Sequence, residues 1–165
     1  MGGVTLTGMP EPFPLPIGLR LNQSARAVGR AFDEALAEAG GTLPEWLILL
    51  NLKIRQPGTQ SKLAEHIGIT QATLTHHLNA MEAHGLVART RDAANRRVQV
   101  VTLTEKGDQA FLALRAAAVT FDAKLRTGLA DSDLATLTTL LTRLSANVAV
   151  PAEDGPPWGG LAAAH

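Results

Sequence analysis

The order of patterns between residues 60 and 103 constrains the fold of this 165-residue chain more than any other feature. A short amphipathic helix pattern covers residues 60–67, and a tight Gly-Ile-Thr turn separates it from a longer helix over about residues 71–84. Gly85 follows at the position expected for a glycine at a helix C-terminus. Two segments rich in β-branched residues, LVART and VQVVTL, come next and enclose the polar turn RDAANRR. The segment therefore predicts two helices joined by a tight turn, followed by a β-hairpin.

Further helix patterns lie on both sides of this segment. The first covers residues 15–39 and ends at Gly40-Gly41, and Thr42 with Glu45 forms a capping box that opens a second helix. After the hairpin, two more helices repeat apolar residues in alternating steps of three and four, the second of them behind an Asp131-Ser132 N-cap signal. Their apolar positions are Phe111, Leu114, Ala118, Phe121 and Leu125, then Leu134, Leu137, Leu141, Leu144 and Val148. The chain is thus predicted to be mainly α, with a small β-hairpin.

The alternating steps of three and four are typical of a seam between two helices. In any one helix, a core within the chain and an interface with a second copy explain the pattern equally well. Three such helices, at the two ends of the chain, exceed what a module of about 60 residues needs to cover its own core. The pattern therefore favours a dimer interface built from the terminal helices.

Charge is distributed unevenly along a chain whose formal net charge is zero. Residues 53–106 carry eight basic and four acidic side chains, whereas the segments before and after each carry two more acidic than basic ones. A phosphate-binding module flanked by acidic assembly helices would show this distribution. The helix-turn-helix and hairpin segment is therefore the expected site of contact with nucleic acid.

Several classes of function and location are excluded or disfavoured by what the sequence lacks. There is no Cys, which removes disulfides, thiolate metal sites and thiol redox sensing, and fits a reducing compartment. No apolar run approaches the roughly 18 residues that span a bilayer, and the N-terminus does not have the pattern of a secretory signal. A cytoplasmic protein with no cofactor is expected. No nucleophile elbow, phosphate loop, zinc motif or pair of catalytic carboxylates occurs, so an enzyme is not expected.

The second helix of the pair has side chains suited to reading DNA bases. Such a helix enters the major groove with its N-terminal residues nearest the base edges. Here Gln71, Thr73 and His76 lie on one face, and no acidic residue occurs between Thr70 and Ala80. Leu74, Leu78 and Met81 lie on the other face and are expected in the core. The Arg-rich hairpin turn can place a guanidinium in a neighbouring minor groove.

These motifs resemble the core of the MarR (multiple antibiotic resistance regulator) family. The resemblance is close over about 50 residues, TQSKLAEHIGITQATLTHHLNAMEAHGLVARTRDAANRRVQVVTLTEKG, and the order of helices matches over about 130. Four motifs carry the resemblance: the turn sequence, the TLT…L…ME…GLV helix, the paired arginines of the wing, and LTEKG at the start of the next helix. The resemblance implies a winged helix-turn-helix fold, with N- and C-terminal helices that form a dimer.

The resemblance also implies a division of the chain and a mode of action. The expected parts are a flexible N-terminal arm (1–14), dimerisation helices (15–40 and 108–150), a winged helix-turn-helix module (42–107) and a flexible C-terminal tail (151–165). A homodimer would bind pseudo-palindromic double-stranded DNA. It would act as a repressor that a small aromatic or phenolic ligand releases.

The predicted DNA-binding residues come from both helices, from the turn between them and from the hairpin. They are Ser61, Thr70, Gln71, Thr73, Thr75, His76, Arg89, Arg91, Arg96 and Arg97. Two positions depart from the family pattern. Asn95 stands where an Asp usually holds the wing-tip arginine, with Asp92 as a substitute, and His76 replaces a frequent Arg. Because His titrates near physiological pH, His76 would make DNA affinity depend on pH.

Arg20, Trp46, Leu49 and Phe111 are the candidate residues for an effector cleft near the boundary of the module. A cation such as Arg20 would suit a carboxylate or phenolate, although Trp46 also fits a place in the core. The His residues at 66, 76, 77 and 84 do not have chelating spacing on a helix, so no metal site is expected. A winged helix that binds protein rather than DNA is the alternative function.

Overall fold

The computed structural model describes residues 15–55, 59–91 and 99–148. These residues form six helices and one two-stranded antiparallel hairpin, in agreement with the predicted fold class. In chain order the elements are α1 (Ile17–Glu38), α2 (Leu43–Arg55), α3 (Gln60–Ile67), α4 (Gln71–Ala83), β1 (Val87–Arg91), β2 (Gln99–Leu103), α5 (Glu105–Leu125) and α6 (Asp131–Asn147). None of the helices within the described ranges is long and apolar enough to cross a membrane.

Local capping explains why the helix boundaries agree closely with the sequence patterns. After α1, the backbone N–H of Gly41 donates to the carbonyl of Leu36 at 3.0 Å, which closes the helix. The predicted capping box at α2 is present: the N–H of Thr42 donates to Glu45 Oε2 at 2.8 Å, and the N–H of Glu45 donates to Thr42 Oγ1 at 3.4 Å.

The predicted N-cap of α6 is wrong by one residue. Ala130 is the N-cap, and Asp131 and Ser132 both lie inside the helix. The backbone N–H of Ala130 donates to Asp133 Oδ2 at 2.9 Å. A carboxylate in the first turn that reaches back in this way stabilises a helix start without a polar N-cap side chain.

The hairpin has the register Val87↔Leu103, Arg89↔Val101 and Arg91↔Gln99. It follows α4 closely, and its base is packed against the start of α5. A Cβ on Gly107 would lie only 1.9 Å from the carbonyl oxygen of Leu86, so only glycine fits where α5 crosses the entry to β1. The predicted wing turn, which contains Asp92, Asn95, Arg96 and Arg97, lies outside the described residues. The predicted N-terminal arm and C-terminal tail also lie outside them.

The hydrophobic core lies in the middle of the chain. Leu74, Leu78 and Met81 of α4 are fully buried, as their spacing predicts. They belong to one cluster with residues of α2, α3 and the hairpin, and this cluster extends to Leu36 of α1 and to Phe111 and Leu114 of α5. The core therefore fixes the orientation of α4, whose opposite face is left exposed.

The terminal helices have a different environment. No residue of α6 is buried, and Leu137, Leu140 and Leu141 are each more than a third exposed. Leu36 is the one buried residue of α1, and the rings of Phe32 and Phe121 join α1 to α5 with centroids 5.1 Å apart. Within the described residues, α6 makes no extensive contact with another helix or strand. Its apolar face is therefore open to a partner.

Candidate nucleic-acid interface

Helices α3 and α4 form a helix-turn-helix whose turn is fixed by local hydrogen bonds. Gly68 ends α3 with φ of 75°, a left-handed conformation that favours glycine. Thr70 then caps α4, because its Oγ1 accepts from the backbone N–H of Thr73 at 3.1 Å. The two threonine hydroxyls also lie 2.9 Å apart. Thr70 thus sets the position at which α4 begins, and it is exposed at that end of the helix.

The first turns of α4 present polar side chains to solvent. Gln71, Thr73 and His76 are all exposed. Thr73 and His76 lie on the side of α4 opposite the core, whereas Gln71 is at the first position of the helix, beside α3. The side-chain amide of Gln71 donates to Ser61 Oγ at 3.3 Å, which joins the starts of the two helices. No acidic residue lies on α4 before Glu82. The arrangement offers neutral hydrogen-bonding groups and a histidine to a ligand approaching from outside.

Thr75 has a different place from its neighbours. It is half-buried, and its Oγ1 donates to the carbonyl of Gln71 at 2.8 Å while it accepts from Gln60 Nε2 at 2.6 Å. The hydroxyl is therefore used between α3 and α4 rather than presented at the surface. Gln60, which the sequence analysis did not single out, anchors this contact. Only the packing of the two helices reveals the pair.

Arg89 also has partners inside the chain. Its Nε donates to Glu82 Oε2 at 3.0 Å, and its Nη2 donates to Asn79 Oδ1 at 2.7 Å. The Arg89 side chain is only 18% exposed. The Arg89 guanidinium holds the pKa of the Glu82 carboxyl below its ordinary value of 4.5, chiefly through the side-chain hydrogen bond. The structure thus ties to α4 a residue that the sequence pattern predicts as a DNA contact.

Arg91 is the exposed arginine at the end of β1, two residues beyond Arg89 on the same strand. It lies where the hairpin extends away from the core. Lys53, near the end of α2, is less available for contact with a phosphate, because its Nζ lies 2.7 Å from Asp108 Oδ1. Among the residues that the structure describes, no group of three or more potential metal ligands comes together.

The predicted effector residues are only partly brought together. The rings of Trp46 and Phe111 are stacked, with centroids 5.9 Å apart and an angle of 11° between their planes. Leu49 is fully buried in the core beside them. Arg20 is exposed on α1, about 24 Å along the helix axis from the buried Leu36. Within a single chain, Arg20 therefore does not lie beside Trp46.

A pocket lies beside the Trp46–Phe111 stack. It is an open groove with a volume of about 380 Å³ between α2 and α5, with the exposed Ile54 and Val119 in its wall. Arg115 and Asp122 also line it. Arg115, one turn after Phe111 on α5, is therefore the cation at this pocket, whereas the sequence predicts Arg20 in that role. Spacing on the helix indicates this neighbour once Phe111 is known to point at the pocket.

Comparisons with known proteins agree with this architecture. The sequence model of the MarR family matches residues 42–98. The solved transcriptional regulator PA3341 is 32% identical, and the alignment covers 79% of this chain and 96% of that one, with a TM-score of 0.65. The chain belongs to the MarR family.

Two further solved structures share the fold of this MarR-family chain. The repressor CouR of Rhodococcus jostii RHA1, bound to a 23-mer DNA duplex, is 26% identical over 78% of this chain and 92% of that one, with a TM-score of 0.70. BpsR of Bordetella bronchiseptica, whose DNA binding is regulated by 6-hydroxynicotinic acid, is 22% identical over 83% and 98%, also with a TM-score of 0.70. The chain is a MarR-family transcriptional regulator.

Proposed function

We propose that this MarR-family regulator binds pseudo-palindromic operator DNA as a homodimer, with α4 in the major groove and the hairpin at the adjacent minor groove. The observation that carries the proposal is the exposed N-terminal face of α4. It is held rigidly by the core beneath it and bears neutral hydrogen-bonding side chains without a carboxylate. A phosphate backbone repels carboxylates, so their absence from this face suits contact with DNA. Because operator DNA is its target, we place its action in the cytoplasm.

The residues divide into reading and positioning roles. Gln71 presents an amide that can pair with adenine in the major groove, and Thr73 and His76, in the first two turns of the same helix, can contact bases or phosphates. Ser61 and Thr70, at the N-terminal ends of the two helices, are placed for phosphate contacts. Thr75 holds α3 against α4. Arg91, Arg96 and Arg97 supply positive charge along the wing.

The dimer is supported by the exposed apolar face of α6. Leu137 is 49% exposed and Leu141 37% exposed, on a helix without a buried residue. A lone amphipathic helix of this length is marginally stable in water, because most helical stability in proteins comes from packing its apolar face. A second copy that offers the same face gives a self-complementary interface with two-fold symmetry. Two modules held in this way match an inverted repeat in DNA.

Repression relieved by a small aromatic or phenolic ligand completes the proposal. The DNA-bound relative CouR is a repressor. In this chain, the pocket beside Trp46 and Phe111 offers two aromatic rings and the cation of Arg115, which suits an aromatic ring with an anionic group. The pocket lies between α2, which is part of the DNA-binding module, and α5, which leads to α6. An occupant there can alter the angle between the two regions.

Selection from a pool of random 30-base-pair duplexes tests the proposed DNA binding. The full-length protein should enrich an inverted repeat whose half-sites are about one helical turn apart. The logarithm of its affinity for the enriched duplex should fall linearly with the logarithm of salt concentration. A protein-binding winged helix is the alternative function. It would enrich no sequence and would show little dependence on salt.

Effector binding is tested with aromatic and phenolic acids as probes. In a Trp158→Phe background, which leaves Trp46 as the one tryptophan of the sequence, ligands such as benzoate, salicylate and hydroxycinnamate should quench the fluorescence and release the enriched duplex. Arg115→Gln should weaken the response, whereas Lys124→Gln, which removes an exposed cation from the same helix outside this pocket, should not. Equal responses from both variants would show that the ligand binds elsewhere.

A further inference from the structure

Arg89 and Glu82 connect two elements that must contact DNA at the same time. Glu82 is in the last turn of α4, and Arg89 is in the middle of β1, on the other side of the turn at Gly85. The backbone N–H of Arg89 donates to Glu82 Oε1 at 3.3 Å, and its Nε donates to Glu82 Oε2 at 3.0 Å. One carboxylate therefore holds both the strand backbone and the side chain.

A third residue extends this contact along the helix. Asn79, nearly one turn before Glu82 on α4, accepts a hydrogen bond from Arg89 Nη2 at 2.7 Å. Two of the three guanidinium nitrogens are thus directed at α4. The planar guanidinium has fixed donor directions, so bonds to two residues of one helix define the orientation of the strand relative to it.

The burial of Arg89 distinguishes this contact from the other ion pairs of the described chain. The Arg89 side chain is 18% exposed and that of Glu82 is 40% exposed, whereas the side chains of the Lys53–Asp108 and Arg126–Asp122 pairs are all about half exposed. Exposed pairs contribute little to structure because water competes for both partners. The Glu82 carboxyl also has a lowered pKa, chiefly because Arg89 donates to it.

We propose that Arg89 is a positioning residue that, together with Glu82 and Asn79, fixes the angle between the wing and α4, and that it does not act as a phosphate contact. The inference rests on the proposed DNA-binding function. A wing already held at the binding angle needs less ordering when α4 enters the major groove, which raises affinity without a new DNA contact.

The direction in which Glu82→Gln changes DNA affinity distinguishes a positioning role of this carboxylate from simple repulsion of phosphates. Removal of a negative charge near DNA should strengthen binding if the charge matters only through its repulsion of phosphates. The proposal predicts the opposite, a loss of about tenfold in affinity, since the amide cannot bind both the strand N–H and the guanidinium as a carboxylate does. Glu65→Gln, which removes an exposed acid from α3, is the matched control. It should bind equally well or better.

Arg89 variants distinguish positioning from phosphate contact. Arg89→Lys keeps the charge but loses the planar donor geometry, so it should weaken binding about as much as Arg89→Gln. Each phosphate contact contributes about 0.9 to the slope of log affinity against log salt concentration. The slope should therefore be the same in wild type, Arg89→Gln and Glu82→Gln. Combined with Glu82→Gln, Arg89→Gln should cost little more than either change alone, because both remove the same contact.

The experiment is a set of anisotropy titrations on the duplex that the wild type enriches, with circular dichroism to confirm that each variant is folded. If Arg89→Gln does not fold, the Glu82→Gln and Arg89→Lys titrations still decide the question. A Glu82→Gln protein that binds as well as wild type overturns the inference, as does an Arg89→Lys protein that binds normally or an Arg89→Gln slope reduced by about 0.9 per copy. Failure of the wild type to enrich any duplex refutes the DNA-binding function instead.

Discussion

The winged helix-turn-helix region and the terminal helices use the same apolar spacing for different purposes. Within the described residues, every buried apolar side chain lies between Leu36 and Leu114. Helices α4 and α6 both repeat apolar residues in steps of three and four, yet Leu78 of α4 is fully buried and Leu137 of α6 is half exposed. A three-four repeat shows that a helix buries one face, but it does not show against what.

The difference explains how one chain can combine a rigid DNA-binding surface with assembly. The core of the module is completed by Leu36, Phe111 and Leu114 of the same chain, so its binding face keeps its shape in a single chain. The terminal helices leave apolar area exposed that only another molecule can cover. We therefore expect substitutions in the two regions to differ in kind: changes in the module affect folding, and changes in α6 affect association.

The largest effect is expected from Leu78→Ala in the module core. A cavity at this fully buried position should lower the free energy of unfolding by about 2–5 kcal/mol. Leu137→Ala removes a side chain of the same size from α6, and its effect should depend on protein concentration, because it acts through dimer dissociation. Denaturant unfolding at several protein concentrations measures both. Equal, concentration-independent losses would remove the distinction between the two regions.

Charges on the apolar face of α6 should come next. The double change Leu137→Asp with Leu141→Asp should yield a monomer and lower operator affinity about 100-fold, since the two half-sites no longer bind as one unit. Light scattering gives the mass and anisotropy gives the affinity.

Ala135→Asp with Thr139→Asp is the matched control for this double variant, because it places the same two charges on the opposite, exposed face of α6. It should remain dimeric and bind DNA normally. A double Asp variant with wild-type mass and affinity would show that α6 does not form the interface.

Gln71→Ala tests the reading face of the module alone. The loss of one amide that pairs with a base should cost about 1–3 kcal/mol at a single base position and relax the preference there. The dimer mass and the salt dependence should not change.

Arg91→Gln should instead weaken binding to every duplex and lower the salt slope by about 0.9 per copy. Selection with each variant distinguishes the two roles, and identical enrichment by wild type and Gln71→Ala would exclude Gln71 as a reader.

The smallest effect should come from the lowered pKa of Glu82. A carboxyl whose pKa is lower in the folded state stabilises the fold above its ordinary value of 4.5, and this contribution disappears as pH falls through the lowered pKa. The difference in unfolding free energy between wild type and Glu82→Gln should therefore be constant from pH 7 to about 5 and decrease in more acidic solution. A difference that does not change down to pH 3 would contradict the pairing with Arg89.

Capping and spacing made most of the fold predictable from the sequence. Thr42, Glu45 and Gly85 act on the backbone within a few residues, so their patterns identify helix ends directly. The start of α6 was misplaced because Asp133, rather than Asp131 or Ser132, provides the hydrogen bond. Local sequence patterns of this kind favour several polar residues equally. They do not show which side chain accepts the hydrogen bond from the backbone N–H of the N-cap residue.

The candidate site was less predictable because its partners are distant in sequence. Arg89 appeared to be a surface cation until the turn at Gly85 placed it against Glu82 and Asn79. Thr75 similarly meets Gln60 of another helix. For the effector pocket, Trp46 and Phe111 do come together, whereas Arg115 rather than Arg20 lies beside them. Sequence spacing predicts faces of single helices, but contacts between elements depend on packing.

Sedimentation of the wild-type protein mixed with its enriched duplex tests the central claim most directly. If the module reads one half-site and the terminal helices join two copies, the complex should contain two chains per duplex at every mixing ratio. The free protein should sediment as a dimer under the same conditions. A stable complex of one chain with one duplex, formed by a monomeric protein with undiminished affinity, would contradict the account.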